Sequence, residues 1–256
     1  MSGFVESSLW IRSYNPSSDP NARLVCFPHA GGSASFFLPV SKSLAPTYEV
    51  LAIQYPGRQD RRLESPIGSI NEIADSVAIR LTSFVDRPLA LFGHSMGALI
   101  AYEVALRLQG NGTNPVVLFV SGRRAPSRYR DEQVHLLDDS DLLAEVARME
   151  GTDQRLLDDF DLMSSLLPTI RSDYRAVAAY RHDPGARLTA PVYAHFGVDD
   201  PHISIDEAED WRIHTSGTFK LHSYTGGHFY LIKEGGKLTD SMRQVLTDLT
   251  SNRVGG

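Results

Sequence analysis

The sequence has a single cysteine, Cys26, so no intramolecular disulfide can form and the fold rests on packing. It has no excess of positive charge. Its 25 Lys and Arg are outnumbered by 31 Asp and Glu, for a formal net charge of −6, and the basic footprint of a nucleic-acid binder is missing. The opening MSGFVESSLW lacks the basic and apolar regions of a secretory signal. No apolar run approaches the roughly 18 residues that a membrane span requires. Internal repeats and low-complexity tracts are also missing. What remains is 42% apolar and 22% charged residues over 256 positions, enough for a sizeable core. The expectation is a cytoplasmic protein, monomeric, with neither nucleic acid nor membrane as a partner.

What is present is alternation. Short apolar runs bounded by Gly or Pro lie at 22–27, 49–55, 89–93, 116–122, 191–197 and 219–224. They are rich in Val, Leu, Phe and Tyr, and their continuity predicts strands buried on both faces. Helical spacing fills the gaps. Ile73, Val77, Leu81 and Phe84 share one face in 70–85, and Leu99, Ile100, Val104 and Leu108 share one in 96–109. Strand–helix alternation predicts a mostly parallel, doubly wound α/β sheet, read as a single domain over 1–256. One stretch departs from this rhythm. From 127 to 183 no strand pattern occurs, and the segment is helical and locally acidic. An insertion of that size between sheet strands is expected to be a helical lid, with plain extra packing as the alternative.

Residues 93–97 read Gly-His-Ser-Met-Gly, a G-x-S-x-G pattern between a strand and a helix. On a sharp strand-to-helix turn the central Ser95 would sit in strained backbone at the sheet's carboxyl edge, near the positive end of the helix. Gly97, Ala98 and Ala101 would let that helix start close to the sheet. A serine hydroxyl needs a base in reach, and the base needs an orienting acid, in the chain order Ser, acid, His. Of nine histidines, His228 alone follows the last predicted strand, in TGGHFYL. His195 lies within a strand pattern and is expected in the core. The acid falls in HFGVDDPHI, where Asp199 and Asp200 compete. Asp200, three residues past Gly197 and just before Pro201, is the expected one. The oxyanion needs two donors. The backbone N–H of Met96 is one. The other belongs to the loop Phe27–Ser33, FPHAGGS, with the Ala30 N–H expected. His29 is expected to hold that loop through a side-chain hydrogen bond. Cys26, inside a strand, is expected to be a small core residue.

PHAGGS at 28–33, YPGR at 55–58, GHSMG at 93–97, GVDDP at 197–201 and GGHFYL at 227–232 occur together in this order. Each is weak alone. In register they make the chain similar to the type II thioesterases, free-standing α/β-hydrolases that serve polyketide synthases and nonribosomal peptide synthetases. The resemblance runs from about residue 24 to 249. It implies a catalytic triad of Ser95, Asp200 and His228, oxyanion donors at the amides of Ala30 and Met96, and an α/β-hydrolase fold. It implies hydrolysis of acyl groups from the phosphopantetheine arm of carrier proteins, which clears stalled or misprimed synthases. No metal or organic cofactor is implied, since the phosphopantetheine belongs to the substrate. Met1 without an upstream linker points to a free-standing enzyme. The alternatives are an acyl-carrier transacylase, which uses a GHSxG serine without this late Asp–His pair, and a general esterase. A non-enzymatic binder would lack part of the triad.

Two loops carry an unexpected number of arginines: Arg58, Arg61 and Arg62 in YPGRQDRR, and Arg123, Arg124, Arg128 and Arg130 in SGRRAPSRYR. Both follow predicted strand ends, which face the active site in open α/β sheets. One reading is that they dock an acidic carrier protein. The plainer reading is that they pair with lid carboxylates such as Asp138, Asp139, Asp158 and Asp159.

Overall fold

A seven-stranded sheet in the order β1-β3-β2-β4-β5-β6-β7 organises the chain. The computed structural model describes residues 9–149 and 160–251. The ends of the predicted 1–256 domain and part of the predicted lid, including Asp158 and Asp159, lie outside the described residues. In chain order the elements are β1 (Ile11–Ser13), β2 (Ala22–Phe27), α1 (Leu38–Leu44), β3 (Tyr48–Ile53), α2 (Ile70–Leu81), β4 (Leu89–His94), α3 (Met96–Gly110) and β5 (Val117–Ser121). Then come α4 (Asp139–Arg148), α5 (Phe160–Ala179), β6 (Val192–Gly197), α6 (Ile205–Glu209), β7 (Phe219–Tyr224), α7 (Tyr230–Lys233) and α8 (Gly235–Ser251). Strands β2 to β7 pair in parallel. β1 pairs antiparallel with β3, Ile11 opposite Ile53, and was not predicted.

The pleat explains the two cores. Along β4, Leu89 and Leu91 point to one face while Ala90 and Phe92 point to the other. In β2, Val25 and Phe27 take the first face, and Ala22, Leu24 and Cys26 the second. The first face is covered by α2 and α3, the second by α1 and α8. Burial on both sides is why these strands read as unbroken apolar runs. α2 begins where Ser69 caps it, accepting from the Glu72 N–H at 3.3 Å, and buries Ile70, Ile73, Val77 and Leu81. The predicted continuation to 85 is a separate 3-10 turn, Thr82–Phe84.

Between β5 and β6 the described residues of 127–183 contain no strand. α4 starts at Asp138, which accepts from the Asp141 N–H at 2.9 Å. α4 and α5 close a small core of their own through Leu142, Met163, Leu167 and Ile170. Among the described residues no helix is long and apolar enough to cross a membrane.

Candidate active site

The turn after β4 is held by close backbone packing. A Cβ on Gly93 would lie 2.1 Å from the Gly97 carbonyl oxygen, and one on Gly97 would lie 2.0 Å from that of Phe27. Only glycine allows β4, α3 and the end of β2 to approach this closely. Between them Ser95 has φ 55° and ψ −118°, positive φ at a non-glycine residue. Such backbone costs about 1–3 kcal/mol and persists where surrounding contacts impose it. Here the Ser95 N–H donates to the Ser121 carbonyl at 2.8 Å, and the Ser95 carbonyl accepts from the Ala98 N–H at 3.0 Å. The Ser95 side chain does not cap α3, so its hydroxyl is left for another partner.

That partner is His228. Its Nε2 lies 3.0 Å from Ser95 Oγ, and its Nδ1 lies 2.7 Å from Asp200 Oδ2. A carboxylate only accepts, so Nδ1 carries the proton and Nε2 is free to accept from the serine. Asp200 is buried, and its second oxygen accepts from the His202 N–H at 2.9 Å. Asp199 is exposed and no hydrogen bond joins it to His228, which separates the two candidate acids. Below the relay, His94 Nδ1 lies 2.9 Å from Ser121 Oγ, which lies 2.7 Å from the Tyr230 hydroxyl. The His94 ring packs against that of His228 at 5.1 Å, and burial holds His94 well below the ordinary histidine value.

Ala30 and Met96 line one small cavity with Ser95 and His228, about 60 Å³ in volume. Met96 opens α3, and the first N–H groups of a helix have no partner within it. The loop carrying Ala30 is turned by the Gly32 N–H donating to the His29 carbonyl at 2.9 Å. The expected side-chain bond from His29 is corrected. His29 Nδ1 is buried without a hydrogen-bond partner among the described residues, and the ring sits edge-on to Phe36 and Phe229. Burial, then His228 and Arg58, push His29 down to about 3, so it packs as a neutral ring. The loop is held instead by Asp173 of α5, whose Oδ2 accepts from the Gly31 N–H at 2.7 Å and from Arg58 Nη2.

The arginines need correction too. Arg58, Arg61 and Arg124 are buried and ion-paired, which removes them from any docking surface. Arg58 pairs with Asp173, Arg61 with Glu64, and Arg123 and Arg124 with Glu132. Burial would raise Glu132, yet the two arginines outweigh it and hold the carboxyl low. Arg128 and Arg130 pair with Asp210 and Glu207, outside the predicted lid. For Arg58, Arg123 and Arg124 the partners Asp173 and Glu132 are carboxylates of the predicted lid, as the plainer reading expects, though not the four it named; Arg61, Arg128 and Arg130 pair elsewhere. Asp139 binds Arg171, and Asp138 caps α4. Arg62, Arg128 and Arg130 remain exposed.

A second cavity of about 270 Å³ shares His29, Ala30, Met149, Tyr174 and Phe229 with the first. Its other walls include Phe36, Val146, Met163, Leu166 and Ile170, an apolar chamber under α4 and α5. A nucleophilic hydroxyl beside an apolar chamber suits transfer of a hydrophobic acyl group. Residues 22–247 match a family profile described as a thioesterase domain. The chain belongs to the thioesterase family. This thioesterase is 47% identical over 250 residues to thioesterase PikA5 of Streptomyces venezuelae, covering 97% of this chain and 86% of that one. Its structure matches the type II thioesterase BorB from the borrelidin biosynthetic cluster with TM-score 0.88 and 46% identity, over 93% and 98% of the two chains. It also matches RedJ, a thioesterase of the prodiginine pathway in Streptomyces coelicolor, with TM-score 0.85 and 34% identity over 91% and 94%. The fold is the α/β-hydrolase fold, and the enzyme is a thioester hydrolase.

Three residues of the thioesterase site escaped sequence reasoning: Asp173, Glu132 and Tyr230. Asp173 left a signal, since it lies three residues past Ile170 and three before Ala176, an acid on the apolar stripe of a helix. Cys26 is a buried core residue as expected, and burial pushes its thiol up. His195 is buried in the sheet, its Nδ1 3.0 Å from the Tyr224 hydroxyl.

Proposed function

We propose that this thioesterase hydrolyses acyl groups from the phosphopantetheine arm of carrier proteins, editing a polyketide or nonribosomal peptide synthase. The observation that carries this reading is the Ser95–His228–Asp200 relay beside the apolar chamber. His228 takes the proton of Ser95 as the hydroxyl attacks the thioester carbonyl. The amides of Ala30 and Met96 hold the resulting oxyanion, each worth on the order of 10² to 10³ in rate. His228 returns the proton to the departing thiol, leaving an acyl-serine. Water then enters, gives its proton to His228, and releases the free acid and Ser95. No metal or organic cofactor takes part. The helices over the site act as a lid that admits the acyl chain, within one domain working as a cytoplasmic monomer. Arg62, Arg128 and Arg130 remain the arginines able to meet an acidic carrier.

The test is a panel of acyl-carrier proteins with different acyl groups, beside small acyl thioesters and oxygen esters, run against wild type and Ser95→Ala. Hydrolysis of carrier-bound thioesters that vanishes in Ser95→Ala is expected. Transfer to a second thiol instead of water would make the enzyme a transacylase, and preference for oxygen esters would make it an esterase. Activity surviving in Ser95→Ala would overturn the nucleophile assignment.

A further inference from the structure

Asp173 is the most enclosed charged group beside the site. It is fully buried, although it belongs to a helix of the insertion, while its two hydrogen-bond partners among the described residues, Gly31 and Arg58, belong to the hydrolase core. Its Oδ2 accepts from the Gly31 N–H at 2.7 Å and pairs with Arg58 Nη2. Arg58 in turn donates to the Gly32 carbonyl at 3.3 Å and the Pro56 carbonyl at 2.7 Å. One turn earlier in α5, Thr169 Oγ1 donates to the Gly57 carbonyl at 3.1 Å. Tyr55 donates from its hydroxyl to the Pro28 carbonyl at 3.3 Å, and the Arg58 guanidinium lies over the Tyr55 ring. Residues 28–32 and 55–58 are thus fastened to each other and to α5, and the Asp173 carboxylate bonds to both segments.

The placement of that carboxylate matters for direction. Gly31 has φ +73°, and its N–H is committed to Asp173. The peptide units on either side of a residue with fixed torsions are oriented together. The Ala30 N–H shares its peptide plane with the His29 carbonyl, which accepts from the Gly32 N–H, and the next plane carries the Gly31 N–H that Asp173 takes, so the two bonds together set the attitude of the Ala30 N–H. Preorganised donors lose most of their effect when displaced by an ångström or so.

We propose that Asp173 and Arg58 are positioning residues for the oxyanion site, the buried carboxylate taking the Gly31 N–H so that the Ala30 N–H faces the Ser95 adduct. This rests on Ala30 being an oxyanion donor. It also gives the YPGR arginine a role inside the catalytic loop rather than at a protein surface. α5 is then a fixed wall of the site, and its place is coupled to the geometry of the loop.

Two double variants separate the acceptor from the charge. Arg58→Met/Asp173→Leu removes both, and a neutral apolar pair is a tolerated replacement for a buried ion pair. Arg58→Met/Asp173→Asn is equally neutral but keeps an acceptor for the Gly31 N–H. Each is assayed with a small acyl thioester. Each is also titrated with an alkyl boronic acid, which forms a tetrahedral adduct on Ser95, and with a thioether analogue that forms none. With leucine we expect kcat to fall roughly 10- to 100-fold, KM to stay within about threefold, and boronate affinity to fall with kcat while thioether affinity holds. With asparagine most of the kcat should return. Equal losses in the two variants, or parallel weakening of boronate and thioether, would overturn the proposal. If neither double variant folds, Asp173→Ala and Asp173→Asn give the same comparison. Wild-type hydrolysis and its loss in Ser95→Ala report on the thioesterase reading separately, so failure of one is not failure of the other.

Discussion

Gly97→Ala tests whether backbone contact between α3 and the end of β2 sets the catalytic geometry. The added Cβ would lie 2.0 Å from the Phe27 carbonyl oxygen, 2.6 Å from its carbon and 2.7 Å from the Pro28 carbonyl oxygen. All three are backbone atoms, so no side chain can rotate away. Ordinary contact begins at 3.4 Å, so the helix start and the strand end must part by about 1.4 Å. Phe27 and Pro28 lead through His29 into Ala30, and Gly97 follows Met96, so the separation opens the gap between the two proposed oxyanion donors. A misplacement of about 1 Å costs on the order of 10²-fold in rate. Forcing a methyl group into such packing costs about 1–3 kcal/mol, or roughly 2–12 °C in Tm for a chain of this size. The assay is kcat/KM on a small acyl thioester with thermal unfolding beside it. Gly110→Ala, in the last position of the same helix, is the control, since its Cβ would meet nothing within 4 Å. A folded Gly97→Ala enzyme with kcat/KM within threefold of wild type would refute the reasoning.

Three further predictions concern the relay and the charges. Asp200→Asn should lower kcat by about 10³ to 10⁴ with KM little changed, because an amide in place of the acceptor at 2.7 Å releases the His228 tautomer; steady-state kinetics decides it, and a loss under tenfold counts against the relay. His195 is pushed down to about 3 by burial and then by His222, against about 6.5 when unfolded, so below pH 6.5 the unfolded chain binds the extra proton and stability falls with pH. The loss is about 2 kcal/mol between pH 6.5 and 5, and urea titrations of His195→Gln should show a curve flatter by that amount; parallel curves would contradict it. Charge reversal at exposed Arg62 should lower kcat/KM for acyl-carrier more than for a small thioester, and equal effects would dismiss it as a docking residue.

The β4–turn–α3 unit was legible because its physics is local. A strand buried on both faces is a continuous apolar run, and the glycines that permit the close approach are visible as letters. Asp200 over Asp199 was legible from Gly197 and Pro201, and the structure buries the first and exposes the second. β1 was not legible. It is three residues, one of them Arg12, and an antiparallel edge strand needs no apolar run. α8 begins on Gly235 and Gly236, poor helix formers that hide the stripe of Leu238, Met242 and Leu246. Ion-pair partners were the least legible of all. Arg58 and Asp173 are separated by 115 positions, and nothing in the local sequence of either names the other. The bond expected of His29 failed because the ring packs nearly at right angles against Phe36 and Phe229, which offer ring carbons rather than polar partners.

The strut between α5 and residues 28–32 bears on how such enzymes are re-engineered. Insertions above a hydrolase sheet invite exchange, one lid for another, as a route to new acyl preference. Here the graft boundary cannot be drawn at the strand ends. The insertion carries Asp173, the acceptor for a catalytic-loop amide, and its counter-charge Arg58 lies in a different connection. A transplanted insertion lacking a carboxylate at that position would leave Arg58 charged and alone in the interior and the Gly31 amide unbound. Chimeras therefore have to move Arg58 and Asp173 as one unit, or replace both.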